Sequence, residues 1–242
     1  MHARLIAVLL LPLLLASCVL APGKFTSTLT INADRSFAFT YAGEVIAIDA
    51  GDSLKGLEDL KFSTEDNDKK SADAEAKQAA KKAAARAEAE KRNRAIAAAL
   101  GKEAGYRKVV YLGDGKFMID YAIKGVLTHG FNWPYNLDAE VIFPFVSIEL
   151  RQGGVVRMKA PAFANEGSKS LPGLSQAGGM GAPDMASGLD GVFTLDTDAE
   201  IVSQNEESGA QAVGTRKRIV WKATPALKQA PTAVLKLAAI AL

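Results

Sequence analysis

Among the side chains able to do covalent chemistry, one stands apart. Cys18 is the only cysteine, and it follows the small pair Ala16-Ser17 at the end of an unbroken apolar run from Leu5 to Leu15. Met1 to Arg4 sets a positive charge ahead of that run, and small residues before the cut are what a signal peptidase requires. Residues 1–17 therefore read as an export signal cleaved between Ser17 and Cys18. At roughly eleven residues the run falls short of the ~20 that a spanning helix needs, and Pro12 disturbs it as a helix. A lone thiol forms no intramolecular disulfide, and natural exported sequences tend to pair a cysteine or omit it.

The other reactive groups offer less. His129 is the only histidine beyond the signal segment, in Thr128-His129-Gly130-Phe131. An imidazole suits a general base, but no serine or cysteine motif marks a nucleophile, so it reads as a loop residue beside a strand end. With no second histidine and no further thiol, zinc and copper lack ligands, and neither a metal nor a cofactor is implied. Asp114 and Asp196-Thr197-Asp198 lack the loop spacing of calcium sites and read as solvated carboxylates. Gly178-Gly179-Met180-Gly181 lacks the lysine and helix that complete a phosphate cradle. The expectation is a chain that is not an enzyme.

The elements that must position these groups are mostly strands. Lys24 to Ile31 alternates, with Phe25, Leu29 and Ile31 on one side and Thr26, Thr28 and Thr30 on the other. Asn32-Ala33-Asp34-Arg35 has turn chemistry, and Ser36 to Ile48 continues as a second strand with Phe37, Phe39, Tyr41 and Val45 on one face and a bulge at Gly43. Residues 66–100 are rich in alanine, lysine, arginine and glutamate with no proline or glycine, which predicts one long helix. Its stripe of Ala72, Ala76, Ala79, Ala83 and Ala87 buries little until Ile96 and Leu100, so only its C-terminal end should dock. Tyr106 to Leu112, the turn Gly113-Asp114-Gly115 and Lys116 to Leu127 form a hairpin. Val141 to Leu150 and Val155 to Ala160 form another, with Pro144 marking an edge or irregularity. Residues 164–191, rich in glycine, serine, proline and methionine, predict a mobile loop. Strands follow at Gly191 to Ser203, Arg216 to Thr224 and Thr232 to Leu237. Strand runs with one inserted helix point to an α+β fold, mainly antiparallel sheet with one long charged helix, in a single domain over 24–242 behind a tether at 18–23.

Leu15-Ala16-Ser17-Cys18 resembles the lipobox of bacterial lipoproteins. That resemblance implies diacylglycerol on the Cys18 sulfur, removal of residues 1–17 and acylation of the new amino terminus. Acyl chains would hold the chain to a membrane, since two or more exceed the marginal grip of one. Val19 stands where an aspartate usually signals inner-membrane retention, so the resemblance implies the outer membrane. The hairpin Leu29 to Phe37, the charged helix, Gly113-Asp114-Gly115-Lys116-Phe117 and Arg218-Ile219-Val220-Trp221 together resemble an uncharacterised family of proteobacterial envelope lipoproteins. A weaker similarity, resting on the lipobox followed by strand, polar turn and strand, is to LppM-type lipoproteins, whose domain implies binding of lipid ligands.

The functional expectation is a membrane-anchored envelope lipoprotein with a binding or structural role toward envelope proteins or lipids. A net charge of +2 over 242 residues carries no general attraction to nucleic acid. Arg216-Lys217-Arg218 beside Trp221 is a local basic patch suited to anionic headgroups or wall polymer. Trp133-Pro134-Tyr135 fits either an interface or a core. A carrier of lipid-like ligands is the alternative, with Ile96, Leu100, Met180 and Met185 lining an apolar cavity. A hydrolase built on His129 is the third reading.

Overall fold

Strict alternation makes the long opening strands and the paired turn residues join them. The computed structural model describes residues 18–49, 72–135, 144–165 and 187–238. Strands β1 (Cys18–Ile31) and β2 (Ser36–Asp49) form the expected hairpin. Its turn is closed by Asp34, whose carboxylate accepts the Ser36 backbone N–H at 2.8 Å, while Arg35 takes a left-handed φ of 74°. The Ser36 hydroxyl, donating to the same carboxylate at 2.6 Å, and the Ser36 backbone N–H together hold the Asp34 carboxyl below its ordinary pKa. Helix α1 (Ala72–Leu100) follows, then β3 (Tyr106–Gly113) and β4 (Lys116–Val126). Asp114 (φ 49°) and Gly115 (φ 74°) give both central turn residues positive φ, the geometry of a tight two-residue hairpin.

The remaining strands are β5 (Phe131–Trp133), β6 (Val146–Arg151), β7 (Val155–Lys159), β8 (Asp190–Thr197), β9 (Glu200–Gln204), β10 (Gln211–Val213), β11 (Arg216–Ala223) and β12 (Thr232–Lys236). They complete two sheets, one ordered β10-β11-β8-β1-β2-β4-β3 and the other β5-β6-β7-β12-β9. Pairing is antiparallel throughout except where β8 lies parallel to β1. The fold is α+β, mostly strand with a single helix among the described residues.

One core joins the two sheets. Phe39, Tyr41, Phe117, Ile119, Phe193, Leu195 and Ile219 project from the first sheet, and Val146, Ile148, Val156, Met158 and Leu235 from the second. Aromatic rings bridge the layers: Tyr41 lies 4.5 Å from Trp133, and Phe25 stacks 4.3 Å from Phe163, which in turn lies 5.3 Å from Phe193. Trp133-Pro134-Tyr135 is thus mainly core, with Trp133 and Pro134 buried and only Tyr135 exposed.

Several expectations require correction. Residues 18–23, expected as a tether, are the first residues of β1, and Cys18 to Pro22 pair with the end of β2. Pro22 fits there because β8 begins only opposite Lys24, so its missing N–H faces an unpaired edge. The bulge lies in β1, where Gly23 and Lys24 both fall between the pairs Pro22–Val45 and Phe25–Gly43. Gly43 is required opposite it, since a Cβ there would sit 2.3 Å from the Lys24 carbonyl oxygen. The run from Gly191 to Ser203 is two strands in different sheets, β8 and β9. Thr197 makes that corner, donating to the Ile31 carbonyl at 2.6 Å and accepting the Ala199 N–H at 3.0 Å. Pro144 precedes β6, which begins at Val146 and lies inside its sheet. Residues 66–71 of the expected helix, and Met180 and Met185 with the rest of 166–186, lie outside the described residues.

Candidate functional site

The register of the first sheet separates two functional ends. At one, Cys18 opens β1 opposite Asp49, and Leu20 pairs with Ala47. Strand β4 begins only at Lys116, opposite Ile46, so the tip of the β1–β2 ribbon passes beyond the β3–β4 turn. No flexible spacer separates Cys18 from paired strand.

Helix α1 is fastened at the same end. Glu90 accepts the Tyr111 hydroxyl at 2.7 Å and the Asp114 backbone N–H at 3.0 Å. The Tyr111 oxygen accepts the Gly115 N–H at 3.0 Å, so one carboxylate and one phenol hold the whole turn. Arg86 pairs with Asp114, and the Arg94 guanidinium lies 5.6 Å from the Tyr111 ring centre. Further along, Ile96 and Leu100 are buried in the core. Residues 76–84 are exposed at every position, as the alanine stripe predicts. Among the described residues, no helix is long and apolar enough to cross a membrane.

The other end carries the basic trio. Arg216 bonds Asp196 and donates to the Asn32 side-chain oxygen at 2.9 Å. Arg218 donates to the second Asp196 oxygen from Nε at 3.1 Å and Nη2 at 2.8 Å. Asp198 accepts the Ala33 N–H at 2.7 Å, tying the β1–β2 turn to the β8–β9 corner. Burial alone would raise the Asp196 carboxyl, but the hydrogen bonds and charges of Arg216 and Arg218 outweigh it and hold the pKa below its ordinary value. Asp196 is therefore no solvated carboxylate: it is 7% exposed and serves as the internal anion of these two arginines.

The trio, expected as a contact for anionic headgroups or wall polymer, stands away from Cys18. Asp196 pairs with Thr30, so Arg216 and Arg218 lie near the end of β1 remote from Cys18. Strand β1 spans fourteen residues from Cys18 to Ile31, about 43 Å over its thirteen steps at about 3.3 Å each. Lys217 and Arg218 are exposed and Arg216 is half-buried, and both arginines are ion-paired to Asp196.

His129 is exposed on the loop after β4, with Nδ1 2.9 Å from the Thr128 hydroxyl. Asp114 is an exposed turn residue engaged by Arg86. No group of three or more metal-ligating side chains occurs among the described residues. Three phenols line the aromatic core: burial pushes Tyr41 and Tyr106 well above their usual range and Tyr121 up to about 12, the Glu103 charge adding to the last. All three stay neutral near pH 7 and act by packing, and Tyr41 also donates to the Glu44 carbonyl at 2.7 Å.

No family model matches the chain, and no curated protein matches it. Among solved structures, the folded domain of the Mycobacterium tuberculosis protein LppM is a weak likeness, with 13% identity over 91% of this chain and 92% of that one and a TM-score of 0.36. The resemblance to a proteobacterial envelope family thus has no family model behind it.

Proposed function

We propose that this chain is an envelope lipoprotein, held to a membrane by acyl chains on Cys18, whose sheet and helix serve a binding or structural role without catalysis. The observation that carries the reading is the run Leu15-Ala16-Ser17-Cys18 at the end of the apolar segment. The outer face of the first sheet offers a surface for partners, in which Thr28 pairs with Thr40 and with Thr194, and Thr194 with Val220. These are short side chains that lie half-buried or exposed. Outer-membrane residence is part of the reading, resting on Val19 after the modified cysteine.

Growth with a clickable palmitate analogue tests the anchor. The wild-type chain should take up label and partition with membranes, and Cys18→Ser should do neither. An unlabelled wild-type chain, or a Cys18→Ser chain processed and distributed like wild type, rejects it.

A further inference from the structure

Helix α1 overhangs the sheet at the end where Cys18 lies. It is fastened to the β3–β4 turn through Arg86 and Glu90, and after Leu100 the chain returns within a few residues to Tyr106 at the opposite end of β3. The helix thus runs antiparallel to β3, and everything before Arg86 passes beyond the turn. From Arg86 back to Ala72 that overhang is about 21 Å at 1.5 Å per residue. The β1–β2 ribbon passes the start of β4 at the same end by Ala47, Ile48 and Asp49, about 10 Å. The helix is the longer of the two projections.

Beyond its first turn, which holds Asp73 and Glu75, the overhang is one-signed in charge. Between Glu75 and Glu88 the helix carries Lys77, Lys81, Lys82 and Arg86 and no acid. Asp114 neutralises Arg86, whereas the three lysines are exposed and make no ion pair among the described residues. The intervening side chains are alanine and glutamine, too small or too polar to insert into hydrocarbon. A cationic helix of this kind binds a surface by charge alone.

We propose that the overhanging half of α1 lies against anionic phospholipid headgroups of the bilayer that holds Cys18, through Lys77, Lys81 and Lys82. The inference rests on the anchored reading, because the register sets these lysines at the anchored end and the Arg216 trio at the other. The contact gives the domain a second point of attachment and fixes its tilt on the membrane. Each lysine near an anionic surface adds a factor on the order of fivefold in occupancy, and the contact weakens as salt shortens the Debye length.

Lysine acetylation footprinting of the full chain on vesicles tests it. Protein purified from membranes is reconstituted into phosphatidylcholine vesicles with or without about 30% phosphatidylglycerol, whose anionic headgroups supply the negative surface potential. Lys102 and Lys124, exposed toward the opposite end, serve as references. Acetylation of Lys77, Lys81 and Lys82 should fall about fivefold on the anionic vesicles, return in 0.5 M NaCl, and leave the references unchanged. The same chain without acyl groups, coupled through Cys18 to a maleimide-headgroup lipid, should give the same pattern. Protection there, when cell-derived protein carries no acyl chain, supports the helix contact and rejects only the anchor. Equal acetylation on neutral and anionic vesicles in both preparations overturns the inference, as does protection that persists in high salt.

Discussion

Asp196 shows how one side chain can be mistaken from sequence and what the correction predicts. Its neighbours in the chain suggested an exposed strand carboxylate, because cross-strand partners twenty and more positions away are invisible to spacing; in the fold, β11 lays Arg216 and Arg218 over it. Asp196→Asn should cost about 2 kcal/mol, since hydrogen bonds to a charged group are lost from both arginines, and urea unfolding measures it. The pH dependence has a definite sign. The Asp196 pKa is lowered on folding, so its contribution is full above the unfolded value of about 3.9 and is lost as pH falls through the lower folded value. Wild type should therefore lose urea resistance more steeply than Asp196→Asn between about pH 4 and pH 2. Equal slopes would mean that the carboxylate is not held as described. Gly43 makes a contrasting case: Gly43→Ala drives a methyl into the Lys24 backbone and should cost about 3 kcal/mol or more, whereas Gly113→Ala meets nothing within 4 Å and pays only for its φ of 92°.

Helix α1 divides into a docked and a free half, and mutations should separate them. Leu100→Ala removes a core side chain and should lower global stability by about 3 kcal/mol. Ala80→Gly lies where every neighbour is exposed. It should leave the global midpoint within about 0.5 kcal/mol while speeding amide exchange across the overhang, because its cost of about 1 kcal/mol is local. The helix and this asymmetry were legible because alanine carries its burial, or lack of it, in its own size. The β3–β4 hairpin was legible because Asp114-Gly115 is chemistry for one turn type. Strands β8 and β9 were fused because alternation runs on through Asp198-Ala199, and only the Thr197 bonds to Ile31 and Ala199 reveal that the chain changes sheet. Three-residue β5 and β10 are too short for any period to register. The basic face of Lys77, Lys81 and Lys82 had a signal, the absence of acids from 76 to 87, but its meaning required knowing which end of the sheet Cys18 occupies.

At the scale of the molecule, the two ends of the first sheet differ: one carries the cysteine and the exposed lysines, the other the Asp196 network and the exposed loop histidine. His129→Ala should leave the urea midpoint within about 0.5 kcal/mol of wild type, as an exposed loop change does. The parallel pairing of β1 with β8 carries a separate consequence, for the order of assembly. Strands β2, β4 and β3 can zip onto β1 from neighbouring stretches of chain, but the other flank of β1 stays bare until a segment some 165 residues later arrives to cover it, a long loop closure of the sort that slows folding. A polypeptide emerging amino terminus first cannot complete its central strand until most of its length has been made, so the sheet stays open through nearly the whole of synthesis and locks only at the end.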